Sequence, residues 1–258
     1  MLNKSIKNGV RNTLLYKSYR KLQLLRTLKQ WTPQDQQMVD FYSQFISEDD
    51  LCFDVGANVG NRVKILLKLK AKVVAIEPQE ECVGILKKVF GKNSRLKIVP
   101  EALGDKEGEA EIMVNSSNTL SSMSAEWIGV IEKSRRFSEY VWYKKQRVPV
   151  TTLDRLIELH GVPSFIKIDV EGFEYQVIKG LSQPVSMISL EFVPEYLEST
   201  IHCIDYLRGL GEIRSNLSLG ESMQFFLDNW ITPDEMKVTL SNLSNDAKLF
   251  GDVYIRYQ

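Results

Sequence analysis

The most informative stretch of the sequence reads Leu51-Cys52-Phe53-Asp54-Val55-Gly56-Ala57-Asn58-Val59-Gly60. Its first five residues are a short, mainly apolar run that is typical of a buried strand, and the glycines that follow favour a tight turn. Apolar residues then recur at helical spacing over residues 61–69, and a second apolar run covers residues 72–76. The order of strand, glycine turn, helix and strand predicts a βαβ unit and a parallel sheet.

The same alternation continues to the C-terminus and predicts an α/β fold. The further helices are predicted at residues 79–90, 152–160, 175–179 and 195–210. The further strands are predicted at residues 96–99, 109–114, 165–169, 187–192, 223–228 and 252–257.

The composition limits the class of protein. The chain has 258 residues, of which 43% are hydrophobic and 26% are charged, and this balance excludes a disordered or fibrous chain. Cys52, Cys82 and Cys203 are odd in number, widely spaced and set among apolar residues, which fits neither a disulfide framework nor a metal cluster. Because the sequence also has no membrane-spanning apolar run and no secretion signal, we expect a cytoplasmic protein.

The N-terminus differs in charge from the rest of the chain. Residues 1–30 contain eight basic residues and no acidic residue, so the net charge of zero conceals a basic arm before an acidic body. Apolar residues recur in the arm at helical spacing, which predicts a basic amphipathic helical extension over residues 1–47. Such a helix either binds a membrane surface or a partner, or packs on its own domain, and a third interpretation is an organellar transit peptide.

The loop at residues 54–60 is predicted to bind a cofactor, because ligands of open α/β sheets bind beyond the carboxyl ends of the strands. The glycines are spaced G-x-x-x-G and not G-x-G-x-x-G, and Asp54 occupies the turn where a pyrophosphate needs N–H groups. S-adenosylmethionine has no phosphate and carries a sulfonium and an ammonium, which a carboxylate attracts. The charge therefore favours S-adenosylmethionine over a dinucleotide, whereas Glu77 after the second strand suits the ribose of either.

Several segments together resemble the FkbM family of S-adenosylmethionine-dependent methyltransferases. They are residues 54–60, Ile76-Glu77-Pro78, Glu101-Ala102-Leu103-Gly104, Thr152-Leu153-Asp154, residues 166–174 (Ile-Lys-Ile-Asp-Val-Glu-Gly-Phe-Glu) and Ser189-Leu190-Glu191-Phe192. The resemblance covers residues 48–258, which we expect to form the methyltransferase domain, and does not include the basic arm. It implies a class I methyltransferase fold, Rossmann-like, with a seven-stranded, mostly parallel sheet and an antiparallel final strand. It also implies O-methylation of a hydroxyl on a sugar or natural product.

The resemblance assigns roles to individual cofactor-binding residues. It implies that Asp54, Gly56 and Asn58 face the methionine end of S-adenosylmethionine, with Gly60 in the same loop. It further implies that Glu77 binds the ribose, and that Glu101 and Ala102 contact the adenine. Each residue has a structural alternative: Asp54 caps a helix, Gly56 and Gly60 serve close packing, or Glu77 is a solvated acid before a helix.

A second group of acids follows the strand predicted at residues 165–169. Strand alternation directs Asp169 and Glu171 to the same side, beside the cofactor cleft, where one carboxylate raises the pKa of the other. We predict that these two residues are catalytic, since a carboxylate near the sulfonium can accept or orient the proton of an acceptor hydroxyl, and that Asp169 also borders the cofactor. In the alternative, Asp169 caps the next helix and Glu171 pairs with a lysine. A shared divalent metal lacks a third ligand in the sequence, so no metal is predicted, and His202 is a weaker active-site candidate.

Residues 115–147 are predicted to form a long irregular lid or insertion. Basic and aromatic side chains occur together in its second half, a mixture that can stack on sugars or bind anions. The acidic body disfavours a nucleic acid, so we expect a carbohydrate, glycolipid or natural-product acceptor. Two other functions remain open at this point: an NAD(P)-dependent oxidoreductase on a doubly wound fold, and an inactive cofactor-binding module that acts through its basic arm.

Overall fold

The computed structural model describes residues 23–28, 30–115, 121–134, 142–244, 246 and 249–258. Residues 1–22, which include most of the basic arm, lie outside the described residues, and so do parts of the predicted lid. Residues 23–28 are helical. Among all the described helices, none combines the length and the apolar composition that crossing a bilayer requires.

Helices and strands alternate along most of the described chain. The helices are α1 (Pro33–Tyr42), α2 (Asn61–Lys68), α3 (Glu80–Phe90), α4 (Ala125–Ser134), α5 (Leu153–His160), α6 (Glu174–Lys179), α7 (Leu197–Leu210) and α8 (Pro233–Leu243), with a 3₁₀ turn at Pro194–Tyr196 before α7. The strands are β1 (Leu51–Val55), β2 (Lys72–Ile76), β3 (Leu96–Val99), β4 (Ala102–Leu103), β5 (Gly108–Asn115), β6 (Trp142–Thr151), β7 (Phe165–Ile168), β8 (Met187–Phe192), β9 (Ile213–Leu219) and β10 (Gly251–Tyr257).

Seven strands form one sheet in the order β3-β2-β1-β7-β8-β10-β9. The five strands from β3 to β8 are parallel, and β10 runs antiparallel to both of its neighbours. The predicted seven-stranded, mostly parallel sheet with an antiparallel final strand is therefore confirmed. The strand order reverses between β1 and β7, and in such sheets this is the point where a ligand-binding crevice opens.

The parallel strands read as apolar runs because helices cover both faces of the sheet. All four residues of β7 are buried, and so are four of the five residues of β1 and of β2. The helix α1 contributes to the core on one face of the sheet. Phe41 and Tyr42 are each 1% exposed and lie in a cluster of aromatic rings with Phe165 and Tyr254. One face of α1 is thus packed into the core beside the sheet.

The described end of the basic arm also contacts the domain. Leu25 and Leu28 are buried, and they form a small apolar cluster with Val59, Cys82 and Ile85. The packing alternative therefore holds for these two residues.

A second sheet has the order β4-β6-β5, and β5 pairs antiparallel with β6. The prediction that residues 115–147 are irregular is wrong for most of their described part, because residues 125–134 form α4 and residues 142–147 belong to β6. The sequence of β6 gives little indication of a strand, since three of its six residues before Val148 are charged and exposed, and it contains Pro149. Its partner β5 lies more than 25 residues earlier, and only the tertiary fold brings the two together.

The prediction of a strand at residues 223–228 is also wrong, because the strand that pairs with β10 is β9. The apolar run at residues 223–228 is a loop, and Phe225 packs its ring 4.9 Å from Phe41 and 5.4 Å from Tyr254. Polar residues that are buried within β9 disguised the true strand: Ser215, Asn216 and Ser218.

Candidate active site

A pocket with a volume of about 300 Å³ lies at the carboxyl ends of β1, β2, β7 and β8, where the strand order reverses. The loop from β1 to α2 forms one side of it, and the residues that follow β7 form another. Of the described residues that line this pocket, seven are acidic and two are basic. The pocket therefore favours a ligand with positive charge.

The glycines of the loop have different surroundings. Gly56 has a φ of +80°, and a Cβ atom there would lie 1.9 Å from the backbone oxygen of Asp169. Glycine is thus required where the loop crosses the chain that leaves β7. Gly60 has a φ of +99° and packs against α3, where a Cβ atom would lie 2.6 Å from Phe90 and 2.8 Å from Leu86. Gly60 is not among the described residues that line the pocket, so helix packing explains this glycine.

Asp54 lies in β1 and is 2% exposed. Its carboxylate faces the N–H of Val63 in the first turn of α2, and its Oδ2 atom has no hydrogen-bond partner among the described residues. Burial raises the pKa of Asp54 to about 6, against the opposing charges of Lys167 and Arg62. The group is therefore largely ionised at neutral pH, with one oxygen available to a cation.

Glu77 follows β2 and connects the loop to the neighbouring strand. Its Oε2 atom accepts the N–H of Asn58 at 2.8 Å, and its Oε1 atom accepts the N–H of Gln79 at 2.7 Å. Burial raises the pKa of Glu77 to about 7, although both N–H groups favour the charged form. Because a carboxylate oxygen can accept more than one hydrogen bond, Glu77 stays able to accept hydroxyl donors in the pocket.

The other predicted cofactor residues also reach the pocket. Asn58 lines it with a φ of +48°, a conformation that asparagine tolerates better than most residues. Glu101 and Ala102 line it where the chain enters β4, with Ala102 buried and Glu101 half-buried. Beside them, Ser121 donates a hydrogen bond of 2.8 Å to the Oε1 atom of Gln79.

Asp169, Glu171 and Glu191 form a cluster of carboxyl groups whose oxygens lie within 4.8 Å of one another. The sequence predicts no role for Glu191, although it is an acid in the carboxyl-terminal half of an apolar strand beside β7. For a shared cation the sequence predicts only two carboxyl groups, and Glu191 is the third in the structure. A cation of the chain itself already contacts the cluster, since the Nζ atom of Lys167 lies 3.0 Å from Asp169 and 3.4 Å from Asp252.

The charges of this cluster separate its pKa values. Burial acts to raise the pKa of Asp169, but the ammonium of Lys167 outweighs it and the net shift is downward. Burial and then the charges of Asp169 and Glu171 raise the pKa of Glu191 well above its usual range. The sequence predicts a raised pKa at Asp169 or Glu171, whereas in the structure the carboxyl group of this cluster with a raised pKa is that of Glu191. Asp169 is the ionised member that can accept a proton.

In the turn after β7, one acidic side chain accepts the hydrogen bonds of the backbone N–H groups. The Oε1 atom of Glu174 accepts the N–H groups of Val170 and Gly172, both at 3.1 Å. Glu174, and not Asp169, therefore satisfies this turn. Glu171 has a φ of +54°, and its backbone oxygen accepts the hydroxyl of Ser122 at 2.6 Å. His202 lies elsewhere, half-exposed on α7 with its ring 5.4 Å from that of Tyr175.

The sheet order and the acidic pocket at the strand reversal define a class I methyltransferase fold. The family model of the methyltransferase FkbM domain matches residues 54–217, which is well over half of the chain. The chain therefore belongs to the FkbM family of S-adenosylmethionine-dependent methyltransferases. No curated protein sequence matches it.

Solved structures similar to this chain include three methyltransferases. A precorrin-6y C5,15-methyltransferase from Geobacter metallireducens has 11% identity and a TM-score of 0.44, over 86% of this chain and 87% of that chain. An S-adenosylmethionine-dependent O-methyltransferase from Thermotoga maritima has 11% identity and a TM-score of 0.42, over 88% of this chain and 66% of that chain. A putative methyltransferase from Streptococcus mutans, in complex with S-adenosylhomocysteine, has 10% identity and a TM-score of 0.40, over 89% of this chain and 100% of that chain.

Proposed function

We propose that this pocket binds S-adenosylmethionine and that the protein methylates a hydroxyl group of a carbohydrate, glycolipid or natural-product acceptor. The observation that carries the proposal is the buried carboxylate of Asp54, whose Oδ2 atom has no partner among the described residues of a pocket that also contains Asp169. A buried, unpaired oxygen of an ionised group is costly unless a ligand completes it.

The lining residues suit the parts of this cofactor. Asp54 binds the ammonium group, and Glu77 accepts the ribose hydroxyls at the end of β2. Glu101 and Ala102 border the adenine. The excess of acidic groups opposes the pyrophosphate of a dinucleotide, which supports S-adenosylmethionine over NAD(P).

The acids after β7 and in β8 suit the acceptor. When bound, S-adenosylmethionine supplies an electrophilic methyl group. The carboxylate of Asp169 accepts or orients the hydroxyl proton of the acceptor, and Lys167 keeps that carboxylate ionised before the reaction. Glu171 lines the same pocket and can accept a hydrogen bond from a neighbouring hydroxyl of the acceptor.

The acceptor class is inferred from the charge of the residues that line the pocket. Seven acidic lining residues repel a polyphosphate backbone, whereas hydroxyl groups donate readily to carboxylates. These features support a neutral acceptor rich in hydroxyl groups.

Two measurements test the proposed function. Isothermal titration should show saturable binding of S-adenosylmethionine and much weaker binding of NAD and NADP. Purified protein with a panel of hydroxylated acceptors should then release S-adenosylhomocysteine. Preferred binding of NAD or NADP would instead indicate an oxidoreductase. Binding of S-adenosylmethionine without turnover on any acceptor would indicate a cofactor-binding module.

A further inference from the structure

Arg62 is a charged residue of the pocket that has no role in the proposed function. It is the second residue of α2 and lines the pocket beside Asn61. Its Nη1 atom lies 2.6 Å from the thioether sulfur of Met38, and its Nη2 atom lies 3.3 Å from the half-exposed carboxylate of Glu221. Its Nε atom is buried and has no hydrogen-bond partner within the described part of the chain. A thioether is a weak acceptor, so the guanidinium is poorly satisfied.

Lys167, the other described cation of the pocket lining, is already paired. Its ammonium contacts two carboxylates, those of Asp169 and Asp252, at 3.0 Å and 3.4 Å. An anionic group of a ligand would have to compete with both of them. Arg62 is therefore the better-placed receptor for a ligand anion in this acidic pocket.

We propose that Arg62 binds the carboxylate of the methionyl part of S-adenosylmethionine, while Asp54 binds the ammonium of the same amino acid. This inference rests on the proposed function. Asp54 and Arg62 have opposite charges and both line this pocket, and each has one buried atom without a hydrogen-bond partner among the described residues. A zwitterionic amino acid presents the matching pair of charges. The planar guanidinium can hold a carboxylate with two parallel hydrogen bonds, which a thioether cannot accept.

Two other roles of Arg62 give different results in the same experiment. In the first, Arg62 only joins α1 to the residues after β9 through Met38 and Glu221. In the second, it binds an anionic group of the acceptor. The structural role affects all ligands of the pocket equally, and the acceptor role leaves cofactor binding unchanged.

The test titrates wild type, Arg62→Gln and Arg62→Lys with S-adenosylhomocysteine and with 5′-methylthioadenosine, which keeps the adenosine and lacks the amino-acid part. We expect Arg62→Gln to weaken S-adenosylhomocysteine binding roughly 10- to 100-fold, and the affinity for 5′-methylthioadenosine to stay unchanged. Arg62→Lys should show a smaller loss because it keeps a point charge. The matched control is Arg95→Gln, since Arg95 pairs with Asp49 outside the pocket lining.

The outcomes separate this inference from the proposed function. Equal affinity of wild type and both Arg62 variants for S-adenosylhomocysteine would overturn the inference. Equal losses for both ligands would also overturn it, because they would indicate the structural role. If Arg62→Gln does not fold, Arg62→Lys alone must show the loss confined to S-adenosylhomocysteine. Absence of S-adenosylhomocysteine binding to wild type would contradict the proposed function itself.

Discussion

Two segments that line the pocket differ in how the chain builds them. The loop at residues 54–60 joins two neighbouring elements, and the N–H groups of Gly56 and Ala57 both bond the Ile76 oxygen at the end of the adjacent strand. Residues 121–127, which we call the strap, contact parts of the chain that are distant in sequence. Ser121 bonds Gln79, Ser122 bonds Glu171, and Trp127 packs where a Cβ atom on Gly172 would stand.

The difference has a functional consequence. The loop bonds the end of the adjacent strand β2, and in the proposed function its one charged residue, Asp54, binds the cofactor. The strap depends on the tertiary fold, and it supports the turn that carries Asp169 and Glu171. Changes in the loop should therefore alter cofactor affinity, whereas changes at the strap and the acids should alter turnover.

The largest expected effect is on turnover, through Asp169. Replacing Asp169 with asparagine keeps the shape and removes the proton acceptor, so turnover should fall roughly 10²- to 10⁴-fold. Initial rates of S-adenosylhomocysteine release measure this loss. Glu171→Gln should lower turnover less if Glu171 only holds the acceptor. An equal loss of S-adenosylmethionine affinity in Asp169→Asn would contradict the assignment of cofactor binding to the loop and of turnover to the acids after β7.

The next effect concerns the point where loop and turn touch. Gly56→Ala would place a Cβ atom 1.9 Å from the oxygen of Asp169, at a φ of +80°. Strain and overpacking together should lower the free energy of unfolding by roughly 2–5 kcal/mol. Chemical denaturation measures the change. The control is Gly84→Ala in α3, where a Cβ atom meets nothing within 4 Å and alanine should raise stability by about 0.5–1 kcal/mol. Equal stability of the two variants would show that the contact is not tight.

The third effect is on the pH dependence of stability in the ligand-free protein. Burial raises the pKa of Glu77 and of Glu174 to about 7 and that of Asp54 to about 6, above the values of an unfolded chain. The folded state then binds more protons than the unfolded state, so stability falls as pH rises through this window. The melting temperature should drop by roughly 10–20 °C between about pH 5 and about pH 7.5. A melting temperature that rises over the same range would contradict these assignments.

The smallest effect tests the strap. The hydroxyl of Ser122 donates to the Glu171 oxygen at 2.6 Å and accepts the N–H of Ser124 at 2.9 Å. Ser122→Ala should lower turnover about 3- to 10-fold, the equivalent of one or two neutral hydrogen bonds, without changing S-adenosylhomocysteine affinity. Ser241→Ala is the matched control, because that exposed hydroxyl bonds only the preceding turn of α8. Unchanged turnover in Ser122→Ala would show that the strap does not position Glu171.

The same contrast explains what the sequence could predict. The bounds predicted for β2, β3 and β8 agree with the structure, because continuous apolar runs and glycine turns specify buried parallel strands locally. The strand β6 could not be found in this way. The pairing of β6 with a distant strand determines its structure, and its exposed polar residues give no apolar signal.

The candidate site divides along the same line. Asp54, Asn58 and Glu77 follow directly from a glycine turn and two strand ends. Lys167 and Glu191 were overlooked because each lies within an apolar strand, where a charged residue carries no recognisable spacing. The roles of both depend on which strands are neighbours, and the sheet order alone supplies that information.

Asp54→Asn tests the central claim, that the buried carboxylate of this pocket is kept for a cationic cofactor. The amide removes a charge whose Oδ2 atom has no hydrogen-bond partner among the described residues of the ligand-free protein. At about pH 7.5 the variant should be more stable than wild type, with a free energy of unfolding roughly 1–3 kcal/mol higher. It should bind S-adenosylhomocysteine about 10- to 100-fold more weakly. Calorimetric titration of both proteins, with their melting curves, gives the two numbers. A less stable variant with unchanged affinity would contradict the claim and assign Asp54 to capping α2.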